Sequence, residues 1–96
     1  MTDLDCKKVS NFFKALCHPT RMAIVIELLD DKRCVNDIGE LTKVSQPNIS
    51  QHLAILKADN IVDWLQEGKT KCYFLKNPRL IKSIMRTLEK SVSKKF

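Results

Sequence analysis

The chain has 96 residues, with seventeen Lys and Arg against eleven Asp and Glu, for a formal net charge of +6. A chain of this length makes one domain and buries only about 60–65% of its extended surface, so pairing with a second copy is a common remedy for a modest core. The basic balance favours an anionic partner, nucleic acid ahead of a membrane surface, although the same charge also serves plain solubility.

The opening residues Met1 to Cys6 are acidic and carry no apolar run, and no stretch is long and apolar enough to span a bilayer. The expectation is a cytoplasmic protein with no membrane partner. In a reducing cytosol the four cysteines point to thiols, metal ligation or redox sensing rather than a disulfide framework. Two glycines and three prolines argue against a sheet-rich or disordered chain. There is no internal repeat.

Val9, Phe12, Phe13 and Leu16 recur at helical spacing and predict a first helix over about 4–16. Cys17, His18, Pro19 and Thr20 interrupt it, with Pro19 suited to the first turn of a second helix. That helix runs from Arg21 to Leu29, apolar nearly all round, and should be central to the core. Asp30 to Arg33 is a charged turn. Val35, Ile38 and Leu41 mark a short third helix, and Thr42, Lys43 and Val44 a turn in which Lys43 takes the position usually held by a glycine.

Pro47 disfavours helical geometry at Gln46, so the fourth helix begins beyond a cap at Ser45 or Gln46, with Ser45 the preferred residue. Ile49, Leu53 and Leu56 form a narrow apolar stripe at i, i+4 and i+7. The opposite face holds Gln46, Asn48, Ser50, Gln51 and Lys57 and is polar but almost uncharged. Solvated faces are usually rich in Lys and Glu. Amides and hydroxyls instead match the donors and acceptors of base edges, Asn and Gln suiting adenine. Short helix, tight turn and polar-faced helix form a helix-turn-helix over about 35–57, whose second helix would enter the DNA major groove. The plainer alternative is a Gln-rich surface helix.

After Asn60 the period changes. Ile61 to Gln66 and Lys71 to Leu75 read as strands joined through Glu67, Gly68, Lys69 and Thr70. A hairpin directly after a helix-turn-helix is a wing, over about 61–75, and Lys69 and Lys71 at its tip suit phosphates, which position a protein without reading sequence. Pro78 opens a last helix over about 78–92 with an apolar stripe of Ile81, Ile84, Met85, Leu88 and Val92. Ser93 to Phe96 should fray. First and last helices either pair two copies or close the monomer's own core. The predicted fold class is mainly α with a small β-hairpin: a single winged helix-turn-helix domain, α1-α2-α3-α4-β-β-α5, over residues 1–96, acting as a homodimer on half-sites.

The segment Leu16-Cys17-His18-Pro19-Thr20-Arg21 before an apolar helix resembles the Leu-x-x-Pro-Thr-Arg entry of the ArsR/SmtB family of bacterial and archaeal repressors. Ser45 to Lys57 resembles the recognition helix of that family, nearest to its arsenical-responsive branch. Asn60-Ile61-Val62, Glu67-Gly68-Lys69 and Tyr73-Phe74-Leu75 resemble its wing. The resemblance covers about 12–75. It implies a homodimer that binds double-stranded operator DNA and lets go when an effector binds, with no enzymatic activity and no obligatory cofactor. Ser45, Gln46, Asn48, Ser50, Gln51, Lys69 and Lys71 are the candidate DNA contacts. His52 falls at a frequent family position on this helix, where it packs or touches the DNA backbone.

The cysteines carry the remaining chemistry. Cys34 stands where Ser or Thr would cap the third helix, and a thiol is a poor cap; a helix N-terminus favours the thiolate, the form that ligates metal or meets an oxidant. The family's metalloid site resembles this place, with a Cys-Val-Cys in which Cys34 matches the first cysteine and Asn36 replaces the second. By the same resemblance Cys6, with Cys17 as a third ligand, would join Cys34 across the dimer, a thiolate set suited to As(III) or a soft ion such as Cd(II) or Pb(II). Winged helices also often pair the segment before the third helix with the second wing strand. That would bring Cys34 near Cys72 within one subunit, as a redox or reactive-sulfur sensor. The family's Asp and His site on the last helix is absent from residues 78–92, where Glu89 is the one carboxylate. His18 beside Cys17 is a turn residue or a ligand. The rival functions are a non-specific architectural DNA-binding protein, a small thiol enzyme or metallochaperone, which lacks a Cys-x-x-Cys here, and a winged helix used for protein contact.

Overall fold

The computed structural model describes residues 3–95, with side chains through residue 91. Its elements are α1 (Cys6–Leu16), α2 (Pro19–Glu27), β1 (Arg33–Cys34), α3 (Val35–Thr42), α4 (Gln46–Ala58), β2 (Val62–Glu67), β3 (Thr70–Leu75) and α5 (Pro78–Lys95). This is the winged helix-turn-helix arrangement, and β1 is the segment before α3 that was expected to pair with the second wing strand.

Local chemistry sets the element ends. Asp5 accepts from the backbone N–H of Lys7 at 3.1 Å and of Lys8 at 3.2 Å, so α1 starts at Cys6 rather than near Leu4; such a cap contributes about 1 kcal/mol. At the next junction His18 Nδ1 accepts from Thr20 N–H at 3.0 Å, and Pro19 follows in the first turn of α2. That helix ends at Glu27, two residues short of the expected Leu29. Ile24 and Val25 are fully buried, but Ile26 is 48% exposed, so α2 is not enclosed on every side.

Lys43 adopts the left-handed conformation, φ 59° and ψ 36°, as its place in the turn requires. The glycine of this unit serves a different purpose. A Cβ on Gly39 would lie 3.3 Å from the Val44 carbonyl, so Gly39 lets the turn fold back closely on α3. Ser45 caps α4 by backbone geometry, without a side-chain hydrogen bond. Ile49, Leu53 and Leu56 are completely buried, and each contributes roughly 1.5–3 kcal/mol by leaving water. The helix closes in a Schellman motif: Asn60 has φ 60°, its N–H donates to Lys57 C=O at 3.0 Å, and Ile61 N–H donates to Leu56 C=O at 3.0 Å.

The sheet is antiparallel in the order β1-β3-β2. Glu67 pairs with Thr70 across a two-residue turn, and Gly68, at φ 61°, supplies the positive φ that a type II′ hairpin needs at its first central position. Arg33 lies opposite Tyr73, and Cys34 opposite Cys72.

Asn77 accepts from Leu80 N–H at 3.2 Å and Pro78 opens α5, which continues through Lys95. That is three residues past the expected end and takes in residues 93–95; Phe96 and the side chains from Val92 onward lie outside the described residues. The stripes of α1 and α5 divide in two. Leu16 and Ile81 enter the core with Phe12 and Met85 packed against it, while Phe13 is 53% and Leu80 43% exposed. These outward residues, with Leu4, Val9 and Ile84, line an apolar groove of about 350 Å³ between the two helices. Both expected roles of these helices therefore have residues to serve them.

Candidate nucleic-acid interface

Ser45, Gln46, Asn48, Ser50 and Gln51 are all exposed, opposite the buried stripe of α4. The wing folds toward the start of this helix. Gln46 and Ser50 line a cleft of about 510 Å³ together with Lys69 and Lys71, and Val35, Asn36, Thr70 and Tyr73 complete its walls. Four of the candidate DNA contacts therefore share one concave surface, and Ser45, Asn48 and Gln51 stand on the helix beside it. Lys71 is aimed by its neighbour: its Nζ lies 4.3 Å from the centroid of the Trp64 ring. Asn36, Thr70 and Tyr73 escaped the sequence analysis. For Thr70 and Tyr73 the signal was available, because both lie on a wing strand within one or two residues of Lys71.

His52 is set apart from this cleft. It is half-buried, with its ring centroid 4.5 Å from that of His18 and its Nδ1 3.4 Å from Nη1 of Arg21. Burial foremost, then the neighbouring His18 and Arg21, hold its pKa below the ordinary histidine value. Packing against the α1–α2 junction, rather than facing outward, is what the geometry gives this side chain.

The cysteines separate into two exposed and two paired. Cys6, at the start of α1, and Cys17, just past its end, are exposed. Cys34 is half-buried and caps α3 by backbone geometry alone; its Sγ lies 3.1 Å from Asp37 Oδ2. Cys72 is buried, and its Sγ–H points to Glu67 Oε2 at 3.4 Å. Burial first, then the Glu67 carboxylate, push the Cys72 thiol pKa up. Lys32 pairs with the same carboxylate, which draws the Glu67 pKa down and raises that of Lys32. Among the described residues, no three or more His, Cys, Asp or Glu side chains of one chain are grouped to hold a metal ion.

With the polar face of α4 and the wing lysines on one surface, the comparisons with known proteins bear directly on the fold's use. A model of the family described as bacterial regulatory protein, arsR family, matches residues 18–63. The cadmium resistance transcriptional regulatory protein CadC of Listeria innocua is 37% identical over 82 residues, covering 84% of this chain and 69% of that protein. The chain belongs to the ArsR family. The HTH-type transcriptional repressor SmtB of Mycobacterium tuberculosis is 40% identical over 67 residues, 70% of this chain, and the match spans half of that repressor's length. Among solved structures, HlyU from Vibrio cholerae superposes with a TM-score of 0.81 at 28% identity, over 92% of this chain and 95% of that one. Family and relatives are transcriptional regulators rather than enzymes. No described helix is long and apolar enough to cross a membrane.

Proposed function

We propose that this ArsR-family chain is a transcriptional repressor that binds operator DNA as a homodimer and releases it when an effector reacts at cysteine thiolates. The observation that carries the DNA reading is the cleft, in which base-reading candidates of α4, Gln46 and Ser50, meet the wing lysines 69 and 71. Ser45, Asn48 and Gln51 extend the readout along the major groove, and Lys69 and Lys71 hold phosphates. The apolar groove between α1 and α5 supports pairing of two copies, because it leaves Phe13 and Leu80 in water in a lone chain.

The effector acts at Cys34, which leads directly into the helix-turn-helix. One effector class is As(III) or a soft divalent ion such as Cd(II) or Pb(II), with Cys6 and Cys17 supplied across the dimer. The names of relatives that regulate cadmium resistance support it. The other is oxidation or sulfur transfer at a cysteine pair, supported by the direct opposition of Cys34 and Cys72.

The test is operator binding by the reduced dimer during titration with As(III), Cd(II), Zn(II) and a peroxide or persulfide donor, repeated with each Cys→Ser variant. Release that depends on Cys34 is expected. A Cys34→Ser protein that responds like the wild type would sink the sensor assignment, and equal affinity for random and operator duplexes would favour a non-specific architectural role.

A further inference from the structure

We propose that Cys34 and Cys72 of one chain form a dithiol site for hydroperoxides, in which Cys34 is oxidised first and Cys72 resolves it as a cross-strand disulfide behind the DNA-facing cleft. The coupling to DNA rests on the reading of that cleft as the DNA surface; the thiol chemistry does not.

The ladder fixes the geometry. Glu67 and Thr70 close the two-residue hairpin as a hydrogen-bonded pair. Pair types alternate along an antiparallel ladder, so Cys72 exchanges hydrogen bonds with Leu65 on β2. Toward β1 it is then the non-hydrogen-bonded partner of Cys34. In such pairs the Cα atoms approach to about 4.5 Å, and disulfides span Cα separations of about 4.4–6.8 Å. Directly opposed residues share one face of the sheet, so the strands need no change of register to join the two sulfurs.

The environments assign different roles. Cys34 is half-buried and reachable, whereas Cys72 is 7% exposed. The Cys34 thiolate attacks the distal oxygen of the hydroperoxide, the O–O bond breaks, and the alcohol (or water, for hydrogen peroxide) leaves with a proton. Cys34 becomes a sulfenic acid. Cys72 then attacks Cys34 Sγ and expels hydroxide, which takes up the Cys72 thiol proton and leaves as water. Two thiols and one hydroperoxide give one disulfide, one alcohol and one water.

The position of the bond explains its reach. Val35 and Asn36 directly follow Cys34, Lys71 and Tyr73 flank Cys72, and all four line the cleft. Lys71 and Tyr73 point to the opposite side of β3 from Cys72. A covalent bond drawn tight on one face therefore shifts the cleft wall on the other.

The full-length reduced protein is treated with hydrogen peroxide and its peptides are mapped by mass spectrometry. A Cys34–Cys72 link that dithiothreitol reverses is expected. Cys72→Ser should accumulate a dimedone-reactive sulfenic acid at Cys34, and Cys34→Ser should leave Cys72 unlabelled. Duplex affinity of the oxidised wild type should fall about 5–150-fold, the usual span of coupling between two sites, and that of Cys72→Ser should not. A link mapped to Cys6 or Cys17, labelling of Cys72 before Cys34, or a mapped link that leaves duplex affinity unchanged overturns the proposal. Failure of the reduced protein to bind any duplex would instead overturn the DNA reading, and the mapped link would still decide the dithiol.

Discussion

Arg21 reaches from α2 to His52 on α4, with Nη1 3.4 Å from Nδ1, while its Nε donates to the Ala15 carbonyl at 2.5 Å and its Nη2 to the Lys14 carbonyl at 3.5 Å. One guanidinium therefore satisfies the Ala15 carbonyl in the last turn of α1, adds to the bond that the Lys14 carbonyl accepts from Cys17 N–H, and braces α4 from behind. Arg21→Ala should lower stability by about 1–3 kcal/mol in urea unfolding. Arg21→Lys should recover little of it, because an ammonium lacks the planar fork that reaches separate acceptors. Full recovery by Lys would show that charge alone matters.

The same cluster makes stability depend on pH. His52 has a folded pKa below its unfolded value of about 6.5. The unfolded chain then binds more protons between the two values, so stability rises with pH across that window. It is fully present above about pH 6.5 and is lost as pH falls through the lower folded value. Urea midpoints followed from neutral to acid pH should show this decline in the wild type and a shallower one in His52→Gln. Identical slopes in the two proteins would exclude His52 as the source.

On the DNA side, Gln51→Ala should cost about 1–3 kcal/mol on the cognate site and relax sequence preference. Lys69→Ala should weaken all duplexes alike and reduce the salt dependence of binding by about one phosphate contact. Fluorescence anisotropy on operator and scrambled duplexes separates these patterns. Equal losses from both variants on both duplexes would contradict the division between readout and positioning.

The turn of the helix-turn-helix yields a stability prediction of opposite signs. Lys43→Gly should stabilise by up to about 1 kcal/mol, by relieving a left-handed residue that has a Cβ. Gly39→Ala should destabilise by about 1–3 kcal/mol, because the added Cβ meets the Val44 carbonyl. Chemical unfolding of both variants checks the pair; a Gly39→Ala protein more stable than the wild type would refute the close approach.

For the groove between α1 and α5, Phe13→Glu should convert a dimer to a monomer in sedimentation equilibrium, since it places a charge on an apolar surface. Retention of the wild-type mass would move the dimer interface elsewhere.

The features legible in the sequence were those written in short-range patterns. The stripe of Ile49, Leu53 and Leu56 is as buried as its spacing implied, and Lys43 had to occupy the left-handed turn position for want of a glycine. The elements that went astray depend on tertiary contacts. Periodicity cannot tell that Ile26 faces out while Ile24 and Val25 face in. The two-residue β1 is too short to carry a pattern of its own, and its expected pairing with β3 came from the winged-helix arrangement rather than from its residues. Asn36 and Tyr73 join Gln46 and Lys69 only once the wing folds back. Arg21 belonged to a recognised motif, but its link to His52 crosses 31 positions.

The brevity of β1 also governs how copies of this protein meet in a crowded solution. β3 is covered along its length by β2 but by β1 only at Cys72 and Tyr73. The outer margin of β3 near the hairpin tip is thus open to main-chain pairing with another chain, a template for unwanted strand addition. Thr70 and Lys71 occupy that stretch, both exposed. A charged side chain on a short open margin repels a second strand of the same sequence, so the lysine proposed to meet phosphate also guards against aggregation.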